Sequence, residues 1–152
     1  MKSFILCCCF TVFTLGVVQQ AQATLGETAD SVKSDRKALS AVPHATQVRN
    51  GYTIQELKTE ANVMREYILP SGVVFAIAWN GRSHPDLSSQ LGTYAGEYQK
   101  ALQQTPGQRG KRHLQVKTSK VIVEKWGHMR NLQGRAYIPT LVPSGVNIDE
   151  IK

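Results

Sequence analysis

The most pronounced pattern along the chain is an unbroken apolar run, Val73-Val74-Phe75-Ala76-Ile77-Ala78-Trp79, closed by Asn80-Gly81. A strand with one wet face alternates apolar and polar residues, so a run without alternation predicts a central strand covered on both faces. The turn sequence Leu69-Pro70-Ser71-Gly72 precedes it, and Val63 to Ile68 predicts its antiparallel neighbour. Tyr52 to Thr59 alternates, with Tyr52 and Ile54 on one side and Thr53, Gln55 and Leu57 on the other, and predicts a further strand nearer an edge. Strict alternation within the central run predicts a bulky face of Val73, Phe75, Ile77 and Trp79. The other face, Val74, Ala76, Ala78 and Asn80, is shallow and would let a helix approach closely.

Two helices are expected. Thr24-Leu25-Gly26-Glu27 has the spacing of a capping box, and Ala29, Val32, Arg36 and Leu39 follow at helical intervals. They predict a helix from Glu27 to about Ser40, ended by Pro43, with 41–51 as a loop. Leu87, Leu91, Tyr94, Tyr98 and Leu102 fall on one narrow arc and predict the strongest helix, begun near Pro85 and stopped at Thr105-Pro106-Gly107. Gly92 and Gly96 lie toward its opposite side, where they either permit close contact with a second partner, such as the first helix, or are simply tolerated, the second being the expectation. Beyond the polar, basic loop Gln108 to His113, three strands recur at Leu114 to Thr118, Val121 to Trp126 and about Met129 to Pro139, the last interrupted at Gly134. Asn147 to Glu150 has the spacing of one more helical turn. The expected fold class is α+β: an antiparallel β-meander with two main helices packed on the sheet, in the order α-βββ-α-βββ.

Met1 to Ala23 reads differently. Lys2, the apolar stretch Phe4 to Val18 and the small-residue site Ala21-Gln22-Ala23 have the layout of a cleaved signal peptide. The stretch is shorter than the roughly 20 residues a membrane span needs. The expectation is export to the periplasm or the medium, no transmembrane anchor after cleavage, and a single α+β domain over 24–152. The three cysteines, Cys7, Cys8 and Cys9, all lie in that leader, so the domain is expected to fold without disulfides. The net charge is +7, concentrated between Lys100 and Arg135, where nine basic residues face one acidic residue, Glu124.

Thr24-Leu25-Gly26, Arg65-Glu66-Tyr67, the block from Pro70 to Trp79, Pro85-Asp86-Leu87, Gly127-His128-Met129-Arg130 and Gly134-Arg135-Ala136-Tyr137-Ile138-Pro139 form a combination, followed by Leu141, Pro143, Gly145 and Val146. Together they resemble the bacterial exported proteins grouped as domain of unknown function twenty-eight forty-four, over essentially everything after the leader. The resemblance implies a bacterial envelope or secreted protein. It brings no assigned activity and no catalytic residues.

Among polar residues, His128, Arg130, Arg135 and Tyr137 make the most suggestive set. A reversal near Leu132-Gln133-Gly134 would gather them, and arginine's fork suits a carboxylate or phosphate. The plainer reading is a solvated edge hairpin whose charges discourage aggregation. Arg65 and Glu66 point to opposite faces of their strand, so they cannot pair with each other; an ordinary cross-strand surface pair is expected, with a buried ion pair to Arg135 or Glu124 as the alternative. His44, His84, His113 and His128 lack ligand spacing, so neither a metal nor a cofactor is expected. Three functions follow. The first is a non-enzymatic binding or assembly module for another exported envelope protein, using the bulky sheet face or the basic hairpin. The second is a polyanion binder acting through residues 100–135 on an anionic polymer, with no specific nucleic acid. The third is an enzyme centred on His128.

Overall fold

The apolar run lies at the middle of a seven-stranded antiparallel sheet. The computed structural model describes residues 24–28, 42–105 and 112–152. Its strands are β1 (Val42–Arg49), β2 (Tyr52–Lys58), β3 (Asn62–Ile68), β4 (Val74–Gly81), β5 (His113–Lys117), β6 (Ile122–His128) and β7 (Asn131–Tyr137). Their spatial order is β1-β2-β3-β4-β7-β6-β5. The first four strands form one meander and the last three a second, and the two join only where β4 pairs with β7. Helical residues bridge the meanders: α1 (Leu87–Leu91), a 3₁₀ turn (Gly92–Tyr94) and α2 (Ala95–Gln104). Asp86 caps α1 by accepting from the Ser88 N–H at 2.9 Å.

The expectation of two main helices in the order α-βββ-α-βββ is overturned. Residues 87–104 make one helical segment, and the other described helical pieces are the three-residue turns Pro139–Leu141 and Ile148–Glu150. The second of these is the turn expected at Asn147 to Glu150, with the Asn147 side chain accepting from Asp149 N–H at 3.0 Å. The helix expected from Glu27 to Ser40 falls mostly outside the described residues. Its beginning is not helical, because the backbone there bonds to the sheet. Gly26 N–H donates to Val74 O at 2.8 Å, Val74 N–H donates to Glu27 O at 3.0 Å, and Thr28 bridges Val73. Leu25 is thereby buried in the core beneath the helix. This segment also explains Gly92: a Cβ there would overlap the Thr24 methyl, so the glycine serves close approach.

A strand, β1, occupies the stretch expected to be a loop. Asn50-Gly51 supplies its cause, a two-residue turn with Gly51 at φ 86° that closes a hairpin between Arg49 and Tyr52.

The two faces of β4 are not the alternating ones. Ile68 pairs with Val74 but Tyr67 pairs with Ala76, so Phe75 is an extra residue in a β-bulge. Val74 therefore shares the helix-covered face with Ile77 and Trp79, together with Leu87, Leu91 and Tyr98. Phe75 turns to the other face with Ala76 and Ala78, where Tyr52, Tyr67, Tyr137 and Ile151 pack. The helix thus covers the bulky side. The shallow side receives the C-terminal tail, residues 139–152.

On the helix face, Trp79 Nε1–H donates to His84 Nδ1 at 3.0 Å, with the rings edge to face. That bond requires an unprotonated Nδ1. Burial first, and the Lys125 charge second, hold the His84 pKa below its ordinary value of about 6.5. The unfolded chain takes up this proton where the folded chain does not. The stabilisation is complete above about pH 6.5 and is lost as pH falls below it. Urea midpoints for the parent chain should drop between pH 7.5 and pH 5.5 by more than those of His84→Gln, which keeps an acceptor and does not titrate.

Candidate functional site

A row of charged residues crosses the tail-covered face. The register aligns Glu56 with Arg65, Arg65 with Ala78, Ala78 with Arg135, Arg135 with Glu124 and Glu124 with Gln115. Arg65 Nε–H donates to Glu56 at 2.9 Å, which is the cross-strand pairing expected of it. Arg135 Nε–H donates to Glu124, and Gln115 Nε2–H donates to the other oxygen of that carboxylate at 2.6 Å.

Both arginines also hold the tail. Arg65 Nη1–H donates to Lys152 O at 2.7 Å, and Arg135 Nη1–H donates to Ile148 O at 2.5 Å. Arg135 reaches Asp149 as well, at 3.4 Å. Tyr67 accepts from Lys152 N–H at 3.2 Å and donates to Lys152 O at 3.3 Å. Burial raises the pKa of Tyr67 and of Tyr137, keeping both hydroxyls protonated. The small side chains of Ala76 and Ala78 leave the depth in which Ile151 is buried.

Among the described residues, two clefts flank the tail. One, of about 250 Å³, is lined by His113, Glu124, Trp126, Arg135, Asp149 and Lys152. In it the His113 and Trp126 rings stack at 6.4 Å, and the Arg135 guanidinium lies 5.5 Å from the Trp126 centroid. The other, of about 400 Å³, lies between the β1–β2 turn and the tail, with Arg49, Tyr52 and Glu150 in its wall.

The four residues singled out from sequence do not meet at one point. Arg135 and Tyr137 lie two apart on the tail-covered face of β7. His128 is exposed at the end of β6, four positions along from Glu124, the partner of Arg135. Four residues of strand span roughly 13 Å. The reversal sits at Met129-Arg130, not at Leu132 to Gly134, because Gly134 continues the β7 ladder. Arg130 is exposed in that turn. Among the described residues, the basic side chains between Lys100 and Arg135 are likewise dispersed. Lys125 lies 5.7 Å over the Tyr98 ring on the helix face, Arg135 is on the opposite face, and Lys117 is on the β5 edge.

Met129 adopts φ 50° at the first position of this two-residue turn and is 80 % exposed. A side chain in that region costs about 1–2 kcal/mol, and an exposed methionine returns little of it through packing. Met129→Gly should raise stability by about 1 kcal/mol in urea denaturation.

The sheet ends in two unlike edges. β5 is short, carries exposed Lys117 and follows exposed Arg112, features that blunt an edge. β1 is longer, and from Ala45 to Arg49 every residue is exposed, Val48 at 81 %. The sole charge in that stretch is Arg49. Its pairing is regular from Ala45 onward, the register shift lying between Pro43 and Ala45. This edge falls in the stretch expected to be a loop. The dipeptide Asn50-Gly51 before alternating Tyr52 to Leu57 was the signal that marks it.

The chain matches the family described as Protein of unknown function (DUF2844) over residues 21–151, and it belongs to that family. No curated protein and no solved structure matches it.

Proposed function

We propose that the protein is a non-enzymatic binding or assembly module of the bacterial envelope, exported by way of its leader, and that it joins its partner by strand addition at β1. One observation carries this reading: the outer side of β1 from Ala45 to Arg49 is open among the described residues, and the other edge of the same sheet is charged. An open edge offers a row of backbone donors and acceptors that an added strand satisfies. The arginines, carboxylates and tyrosines of the tail-covered face support the same reading, because their polar groups are spent in holding the fold together.

The test is a photo-crosslinking residue placed at Val48, with a second at Lys117 as control, in the cells that make and export the protein. Adducts are expected from position 48 and not from position 117. Introducing Thr46→Pro should reduce the position-48 adduct by about tenfold, since proline removes a backbone donor from the edge. No adduct at 48, or equal adducts at both positions, overturns the reading.

A further inference from the structure

Resting on the assignment of β1 as the binding edge, we infer that its occupant is a second copy of this chain, paired antiparallel about a two-fold axis through Gln47. The argument begins with the hydrogen-bonding direction. A two-residue turn makes Arg49 and Tyr52 the hydrogen-bonded closing pair of the β1–β2 hairpin, and antiparallel pairs alternate along the ladder. Arg49, Gln47 and Ala45 therefore direct their backbone groups at β2, while Thr46 and Val48 direct theirs outward. An axis through Gln47 sets Thr46 opposite Val48 of the second copy, and Val48 opposite its Thr46. The outward N–H and C=O groups of both residues are then satisfied in each chain.

The bounds of the open stretch agree with this register. At one end the pairing of β1 shifts between Pro43 and Ala45, and proline has no N–H to offer. At the other end the chain turns at Asn50-Gly51. The regular segment between them, Ala45 to Arg49, has Gln47 at its midpoint, so the proposed axis overlays the usable part of one edge on the usable part of the other.

Charge selects the same pairing. The axis places Arg49 of the second copy opposite Ala45, on the face that carries Glu56, because Ala45 and Glu56 are themselves partners. Glu56 is engaged by Arg65 on its inner side and remains 20 % exposed. Across the methyl of Ala45, about two strand spacings or roughly 10 Å between backbones, the incoming guanidinium meets the outer side of this carboxylate. The row of charges that crosses one sheet, Glu56, Arg65, Arg135 and Glu124, thereby gains a cation from the neighbouring copy at each end of the joint. On the opposite face the exposed valine is placed beside the threonine of the other copy, a β-branched pair suited to adjacent strands.

Sedimentation velocity on the full chain tests this. The parent should show a reversible dimer, with dissociation near micromolar concentrations for so small an interface. Ala45→Lys, which sets a cation against Arg49 of the other copy, should weaken the dimer at least ~tenfold, and so should Arg49→Glu. The double variant Ala45→Lys with Arg49→Glu should return to within ~threefold of the parent, because the opposed charges are then unlike. In a chain with Cys7, Cys8 and Cys9 replaced by serine, Gln47→Cys should form a disulfide-linked dimer on mild oxidation, because position 47 meets itself across the axis. Circular dichroism of each variant separates loss of pairing from loss of fold.

Failure of the double variant to recover overturns the register and with it the proposal. A parent that remains a monomer up to about 0.5 mM overturns self-pairing. In that case, adducts from position 48 to a different protein leave the edge assignment standing, and the absence of adducts removes both.

Discussion

Replacing Arg135 by methionine is expected to produce the largest loss of stability among the single changes considered, about 3–5 kcal/mol in urea denaturation. The reason is what remains behind. Glu124 sits beneath the tail with its side chain 8 % exposed, and Arg135, at 14 %, is its cationic partner. Without the guanidinium a carboxylate stays desolvated with, among the described residues, Gln115 alone donating to it, and the tail loses its contacts at Ile148 and Asp149. The double variant Arg135→Met with Glu124→Met discriminates between causes. Removing both charges should recover at least half of the loss, because a buried pair is worth little more than apolar groups of equal volume. A double variant as unstable as Arg135→Met alone would place the whole cost in the tail contacts instead.

Gly134→Ala is the second. Gly134 lies opposite Trp79 across the β4–β7 pairing, and a Cβ built on it would overlap the indole ring and crowd the Glu124 carbonyl. The indole is tethered beside the point of overlap by the bond from its Nε1–H to His84, so it cannot slide away freely. The expected cost is about 3 kcal/mol, at the upper end for overpacking a buried site. Combining Gly134→Ala with Trp79→Leu should be less destabilising than the sum of the two single changes, since leucine vacates the space that the new methyl needs. Additive losses would show that the two residues do not compete for volume.

Much of this architecture was legible in the pattern of residues, and the misreadings have definite causes. The central position of the apolar run followed from its lack of alternation, and both clusters do cover β4. The helix bearing Leu87, Leu91 and Tyr98 followed from its periodicity. The exchange of faces at Phe75 did not follow, because a bulge moves one residue across the sheet without any mark in a uniformly apolar stretch. Capping-box spacing at Thr24 to Glu27 was misleading for a different reason. The same four residues make a turn whose outward backbone groups are taken by Val74 of β4 and Gln90 of α1, partners distant in sequence. Gly134, expected to interrupt its strand, instead continues it and serves close approach to Trp79, which a glycine inside a strand marks at least as readily.

For the polar residues the limit was register. His128 to Tyr137 do lie on a hairpin, but its reversal at Met129-Arg130, in place of the expected Leu132-Gln133-Gly134, separates His128 from Arg135 along the strands. The partners of Arg65 and Arg135 in the tail are backbone oxygens, which carry no side-chain signature. Only the fold reveals that the two arginines share a task.

The junction of the two meanders also has a kinetic consequence. Six strand pairings hold the sheet, and five of them join strands adjacent in the chain. The sixth, β4 with β7, must bring Trp79 to Gly134 across the whole intervening helix and hairpin. Local hairpins form in microseconds, whereas a distant closure must first overcome the entropy of its loop. Refolding should therefore be timed by that single seam. Substitutions along it would alter how fast the native state is reached, and changes at the outer hairpin β1–β2 would register mainly in how fast it is lost.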